Sequence, residues 1–223
     1  MSRMPLKDRK LPNYTRGNEI ANMVTHIIGG ALGIVVLVLA VVIAALHHDP
    51  WGVVGGAIYG VTMIALYTVS SVYHGLRPGM GKKVMQVIDH CTIFFLIAGS
   101  YTPILLTGIR PNHPVVAWLI FGAEWGFAAL ATVFTAIDHK KYAALAMTGY
   151  LGMGWLVVVA IRPTLEALSW AGFWWLLAGG ISYTIGAVMY GVGSKKPVMH
   201  TVFHVFVVLG SALHAVCILG YVL

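Results

Sequence analysis

Ile20-Ala-Asn-Met-Val-Thr-His-Ile-Ile-Gly-Gly-Ala-Leu-Gly-Ile-Val-Val-Leu-Val-Leu-Ala-Val-Val-Ile-Ala-Ala-Leu46 runs for 27 residues without one Asp, Glu, Lys or Arg. About 20 apolar residues suffice for a helix to cross a hydrocarbon core of ~30 Å. The stretch is too long for the core of a signal peptide and has no small-residue cleavage site, so it reads as a retained span. Its apolar run is continuous rather than alternating, which excludes a strand of a transmembrane barrel.

Further apolar runs follow at Trp51–His74, Val84–Thr107, Val115–Thr135, Tyr142–Ile161, Trp170–Tyr190 and His200–Val222. Turn chemistry separates many of them: His47-His-Asp-Pro50, Arg77-Pro-Gly79, Arg110-Pro-Asn-His-Pro114 and Ser194-Lys-Lys-Pro197. The expected fold is therefore an all-α membrane protein of seven transmembrane helices. Residues 1–17 form a short basic N-terminal segment, and residues 18–223 form the seven-helix domain. Composition agrees: 59% of residues are hydrophobic and 9% charged, with a mean hydropathy of +0.84. A soluble domain carries roughly 25% charged residues, so lipid has to act as the solvent here.

Twelve of the 14 Lys and Arg residues fall on one side of these spans. They are Arg3, Lys7, Arg9, Lys10, Arg16, Arg77, Lys82, Lys83, Lys140, Lys141, Lys195 and Lys196; Arg110 and Arg162 fall on the other. Basic residues collect on the cytoplasmic side. The expected topology has the N-terminus cytoplasmic and the C-terminus extracytoplasmic, in a multi-pass protein of the cell membrane. The net charge of +7 reads as topology plus attraction to anionic lipid heads. No basic stripe with interleaved aromatics points to nucleic acid. Cys91 and Cys217 belong near opposite ends of the membrane, which argues against a disulfide between them, and their spacing is not that of a metal site.

Polar groups inside a span are costly and mark candidate sites. Glu19, Asn22 and His26 are spaced i, i+3, i+7; Ser70 and His74 are i, i+4; so are His200 and His204. With Asp89 and His90 opening the third span, all sit at one depth beneath the cytoplasmic headgroups. Three imidazoles, His74, His200 and His204, can surround a metal, and imidazole with a nearby carboxylate suits Zn²⁺. Three protein ligands leave a fourth position for water. Asp89 is the candidate general base and Ser70 the candidate donor to a substrate oxygen. Glu19, Asn22 and His26 are the supporting residues.

Plainer readings exist for each residue. A histidine near a helix end often snorkels or bonds locally. Ser70 alone fits helix packing, and Asp89 alone fits a helix N-terminus. His47, His48, His113 and His139 fall in loops and are expected to be solvated. Glu124 falls toward the outer end of the fourth span, within reach of the interface. Pro103 is expected to kink the third. The pair His200–His204 lacks the Glu of the soluble HExxH proteases. A bis-histidine haem, from His26 or His74 with His204, is a competing reading; the third histidine and Asp89 at one edge fit a metal–water centre better.

Together, Glu19-Ile-Ala-Asn-Met-Val-Thr-His26, Ser70-Ser-Val-Tyr-His74, Asp89-His90-Cys91 leading into Ala98-Gly-Ser-Tyr-Thr-Pro103, and His200-Thr-Val-Phe-His204 followed by His214 carry a family pattern. The chain resembles the haemolysin III family, the bacterial branch of the progestin and adipoQ receptor family, from about residue 17 to the end. The resemblance implies seven helices, Zn²⁺ held by His74, His200 and His204, Asp89 contacting the metal through water, and Ser70 beside the site. The wider superfamily includes zinc-dependent alkaline ceramidases. The expected function is a zinc-dependent hydrolase of lipid amides or esters, with a membrane lipid as substrate or ligand. The alternatives are a zinc-stabilised sensor or regulator of lipid or energy state, and a haemolysin-type pore.

Overall fold

Side-chain caps start the first two helices. In the computed structural model, which describes residues 4–193 and 196–223, Thr15 precedes the first helix, α1 (Arg16–Leu46), and its Oγ1 accepts the Asn18 N–H at 3.2 Å. That cap fixes the register that puts Asn22 and His26 on the buried face. Asp49 caps α2 (Pro50–Gly75), accepting from the Trp51 N–H at 3.0 Å, with Pro50 in the first turn where its missing N–H costs nothing. The chain continues through α3 (Met80–Pro103), α4 (Pro114–Asp138), α5 (Ala143–Gly154), α6 (Ile161–Gly193) and α7 (Val198–Tyr221). Arg3, Ser194 and Lys195, used above for orientation and turns, lie outside the described residues.

The described residues are all-helical, without a strand. Six helical runs are long and apolar enough to cross a membrane: Arg16–Leu46, Pro50–Gly75, Met80–Ile109, Pro114–Asp138, Ala143–Gly193 and Val198–Tyr221. The fifth, of 51 residues, is interrupted. A 3-10 turn, Leu156–Ala160, joins α5 to α6, and Ser169 leaves helical geometry at φ 56°, ψ 172°. Residues 162–168, between the expected fifth and sixth runs, are helical, and the kink falls at Ser169. Ser at positive φ is strained, and a residue held there is over-determined by its surroundings. Pro103 behaves as its chemistry requires: it withholds an N–H, and the helix beyond it widens into a π-helical stretch, Ile104–Ile109.

Outward-facing side chains are apolar: Leu46, Leu119 and Val159 are 72%, 69% and 79% exposed. Polar side chains face inward, the arrangement lipid demands. α1 lies along α2, α2 along α3, α6 along α7, and α7 returns to α1, closing the bundle. Small residues permit these approaches. A Cβ on Gly55 would stand 2.8 Å from the Pro103 Cα, and one on Gly99 would stand 2.2 Å from the Thr62 Oγ1. Midway through the bundle, the Tyr67 and Tyr183 hydroxyls meet Ser211 Oγ at 2.6 and 2.7 Å, and Tyr59 donates to the Ser211 carbonyl at 2.9 Å. These bonds lock α2, α6 and α7 together. Nearby, the His214 ring occupies the space over Gly179, where a Cβ would come within 2.1 Å of its Cδ2.

Two expectations are corrected. His139 is buried rather than solvated, because the N-terminal segment folds back over it: Arg9 Nη1 lies 3.1 Å from its Nδ1. Glu124 is only 1% exposed, and neither carboxylate oxygen has a partner among the described residues. Cys91 and Cys217 are buried free thiols.

Gly99→Val should overpack the α2–α3 contact and lower the thermal midpoint in detergent, by the equivalent of ~1–3 kcal/mol. Gly122→Ala, with nothing within 4 Å of its would-be Cβ, should leave that midpoint unchanged.

Candidate metal centre

His74 occupies the last turn of α2, and His200 and His204 the first two turns of α7. The fold brings the three together. Each offers one ring nitrogen, and these atoms all lie within 4.8 Å of one another in buried surroundings. The His200 and His204 Nε2 atoms are 3.2 Å apart. Ligands at Zn–N distances of about 2.0–2.1 Å in a tetrahedron subtend an edge of ~3.3–3.4 Å, close to that spacing.

Glu19 on α1 sets the tautomer of His74. Its Oε2 accepts from His74 Nδ1 at 2.7 Å, which leaves Nε2, buried and without a partner among the described residues, as the free lone pair. A carboxylate behind an imidazole is the usual outer support of a metal ligand. The other oxygen, Oε1, pairs with Lys82 Nζ at 2.7 Å. Lys82 is buried, and donates as well to the carbonyls of His74 and Leu76 at 3.3 and 3.0 Å. Asn22 Nδ2 stands 3.4 Å from His74 Nδ1, while its Oδ1 accepts from Thr201 Oγ1 at 2.6 Å, tying α1 to α7.

His26 stacks on His204, with ring centroids 3.8 Å apart and planes 23° from parallel, and Tyr67 meets it edge-on. It braces the His204 ring. These packings also decide the haem alternative. His26 and His204 are already in van der Waals contact, and the His74 and His204 centroids are only 4.9 Å apart, so no slot for a porphyrin exists within either pair.

Ser70 and Asp89 sit on the other side of the triad, where a cavity of about 110 Å³ opens. The Ser70 hydroxyl lies beside the Asp89 carboxylate without completing a hydrogen bond of full geometry. Asp89 retains some exposure because it lines the cavity. The cavity runs between α3, α5, α6 and α7, past Ile93, Ile97, Leu151 and Val207 to His214. A second cavity of about 70 Å³ shares Ser100, Tyr101 and His214 with the first and continues to Ile109 and Phe173. His90 belongs to the cavity wall: its Nδ1 donates to the Gln86 carbonyl at 2.7 Å, and its Nε2 accepts from the Tyr190 hydroxyl at 3.2 Å.

Three further residues reach the group from positions with little local signal: Lys82 reads as a topology charge, Thr201 falls between the two histidines, and Tyr14, whose ring stacks on His200, lies in the irregular segment before α1. Only Thr201 carried a signal, its place inside the His200–His204 motif. The donor set suits a borderline divalent ion: neutral imidazoles, buried, with their outer nitrogens engaged or packed.

These features define a class: a multi-pass helical protein of the cell membrane with a buried three-histidine group at one end of an apolar cavity. The model of the haemolysin-III-related family matches residues 14–215, and the chain belongs to that family. It is 38% identical over 205 residues to Hemolysin-3 of Bacillus cereus, covering 92% of each chain. It is also 38% identical over 208 residues to the Hemolysin-3 homolog of Bacillus subtilis (strain 168), covering 93% of this chain and 96% of that one. The monocyte to macrophage differentiation factor of Homo sapiens is 31% identical, over 98% of this chain and 90% of its own.

Glu19→Gln keeps the shape of the His74 support and removes its charge. Metal affinity, measured by competition with a chromophoric chelator, should fall about 10–100-fold, as for other outer-shell carboxylates. An unchanged affinity would mean that the Glu19–His74 bond serves packing alone.

Proposed function

We propose that this chain is an integral-membrane zinc-dependent hydrolase acting on lipid amides or esters, a ceramidase-like activity. The observation that carries the reading is the buried His74–His200–His204 group at the end of an apolar cavity lined by a carboxylate and a hydroxyl. His74, His200 and His204 would hold the ion. Zn²⁺ at such a site supplies Lewis acidity and lowers the pKa of a coordinated water toward about 7.

The chain's own groups supply the rest. Asp89, one turn before Ile93 on α3, would take up a proton as water adds to the scissile carbonyl and return it to the departing amine or alkoxide as the C–N or C–O bond breaks. Ser70 donates a hydrogen bond to the oxygen on which negative charge develops. Ile93, Ile97, Leu151 and Val207 give an acyl chain an apolar bed, and the second cavity extends it. A polar centre at one end of an apolar cavity matches an amphiphile better than a soluble metabolite.

The reading includes seven membrane passes. Divided at Ser169, the run Ala143–Gly193 gives two segments, 143–168 and 170–193, each long enough to span. An odd number of passes, with the basic residues beside the N-terminus, gives a cytoplasmic N-terminus and an extracytoplasmic C-terminus. The metal group then sits at the cytoplasmic end.

Purified protein should carry about one zinc per chain, and His200→Ala should lose it. Asp89→Asn should keep the zinc and lose hydrolysis of a short-chain ceramide. Retained hydrolysis in Asp89→Asn would remove Asp89 from the chemistry. Zinc-loaded wild type with no turnover of amide or ester lipids would favour a zinc-stabilised regulator. For topology, a C-terminal alkaline phosphatase fusion should be active and a C-terminal green fluorescent protein fusion dark; the reverse pattern would sink the seven-pass reading.

A further inference from the structure

The N-terminal segment is not a loose tail. Arg9, 2% exposed although charged, is its anchor. Its guanidinium donates to the Met4 carbonyl through Nε and Nη2, both at 3.1 Å, and to the Ile137 carbonyl at 2.8 Å, and it bonds His139 Nδ1 and pairs with Asp138 at 3.8 Å. Asp138 in turn accepts the Met4 N–H at 3.1 Å. Lysines from two other elements hold the segment from outside: Lys140 Nζ donates to the Lys10 carbonyl at 2.6 Å, and Lys83 Nζ bonds the Lys7 carbonyl. Burial holds the His139 imidazole neutral, its pKa lowered to about 4, so that it accepts from Arg9 rather than repelling it.

From that anchor the chain runs to Tyr14. Its ring stacks on His200, with centroids 5.0 Å apart and planes 21° from parallel, and its centroid is 5.9 Å from that of His74. The triad is therefore enclosed on two sides by different things. The cavity with Ser70 and Asp89 lies on one side, and a tyrosine delivered by the N-terminal strap lies on the other.

We infer that residues 4–15 form a strap, anchored by Arg9 on the α4 end, whose Tyr14 closes the metal centre against water and governs exchange of the ion. The inference rests on the metal reading of the three histidines. Tyr14 is a positioning and covering residue: it holds the outer face of His200 and supplies no ligand. Undocking the strap exposes His74 and His200 without disturbing the cavity, so metal entry and lipid entry use separate doors.

The test uses the full chain in phosphatidylcholine nanodiscs, loaded with zinc, and follows metal loss to excess EDTA. Tyr14→Ala and Arg9→Ala should lose zinc faster by about tenfold or more, the scale of a lost aromatic contact with its burial. Tyr14→Phe keeps the ring and should match wild type. Tyr14→Ala releasing zinc at the wild-type rate would overturn the proposal, as would Tyr14→Phe releasing it as fast as Tyr14→Ala. If the wild type binds no zinc, the metal reading fails, and tryptic cleavage after Lys10 then reads the strap alone. Faster cleavage in Arg9→Ala and Tyr14→Ala upholds a docked strap; equal cleavage removes it.

Discussion

The 2.7 Å bond between the Glu19 carboxylate and His74 Nδ1 is the interaction on which the site depends. It is made where the His74 side chain is fully buried, and a charge without a partner there would be costly. Lys82 resolves that difficulty by pairing with the second oxygen, and the carbonyls at the end of α2 engage the lysine's remaining protons. One carboxylate thus joins α1, the C-terminal turn of α2 and the first turn of α3. It also points the His74 lone pair inward. Without it, the three imidazoles would be neighbours with no common target.

Around that joint the bundle is layered. The histidines, with Ser70 and Asp89, occupy one end. The Tyr59–Tyr67–Tyr183–Ser211 hydrogen bonds hold the middle. Apolar walls continue beyond, toward Ile109 and Phe173. These hydrogen bonds hold α2 against α7, and His74 meets His200 and His204 although His74 and His200 are 126 positions apart along the chain. The three histidines are carried by the regular helices α2 and α7, while the irregular backbone beyond Pro103, at Leu156–Ala160 and at Ser169 lies outside those two helices.

Much of this was legible in the sequence because it depends on period and composition. Apolar runs gave the helices, and i, i+4 pairs put Ser70 with His74 and His200 with His204 on single faces. What escaped depends on partners remote in the chain. A lysine near a helix start looks like any topology charge until Glu19 is found beside it. Tyr14 sits in a segment without periodicity, and nothing local directs it to His200. His139 does lie in a turn, but it reads as solvated because its cover, Arg9, is 130 positions away. The gap between the apolar runs ending at Ile161 and starting at Trp170 marked the break, but with no Gly or Pro at Ser169 nothing local placed it at that residue.

The crowding of His214 against Gly179 couples two helices and two cavities. The two positions lie on different helices, yet an alanine at 179 has no room while the imidazole stays where it is, because its Cβ would fall 2.1 Å from Cδ2. In this chain the glycine and the ring hold each other's place: a side chain at 179 requires the imidazole to move or to be replaced by something smaller. Because His214 lines both cavities, a smaller residue there would widen the junction between them.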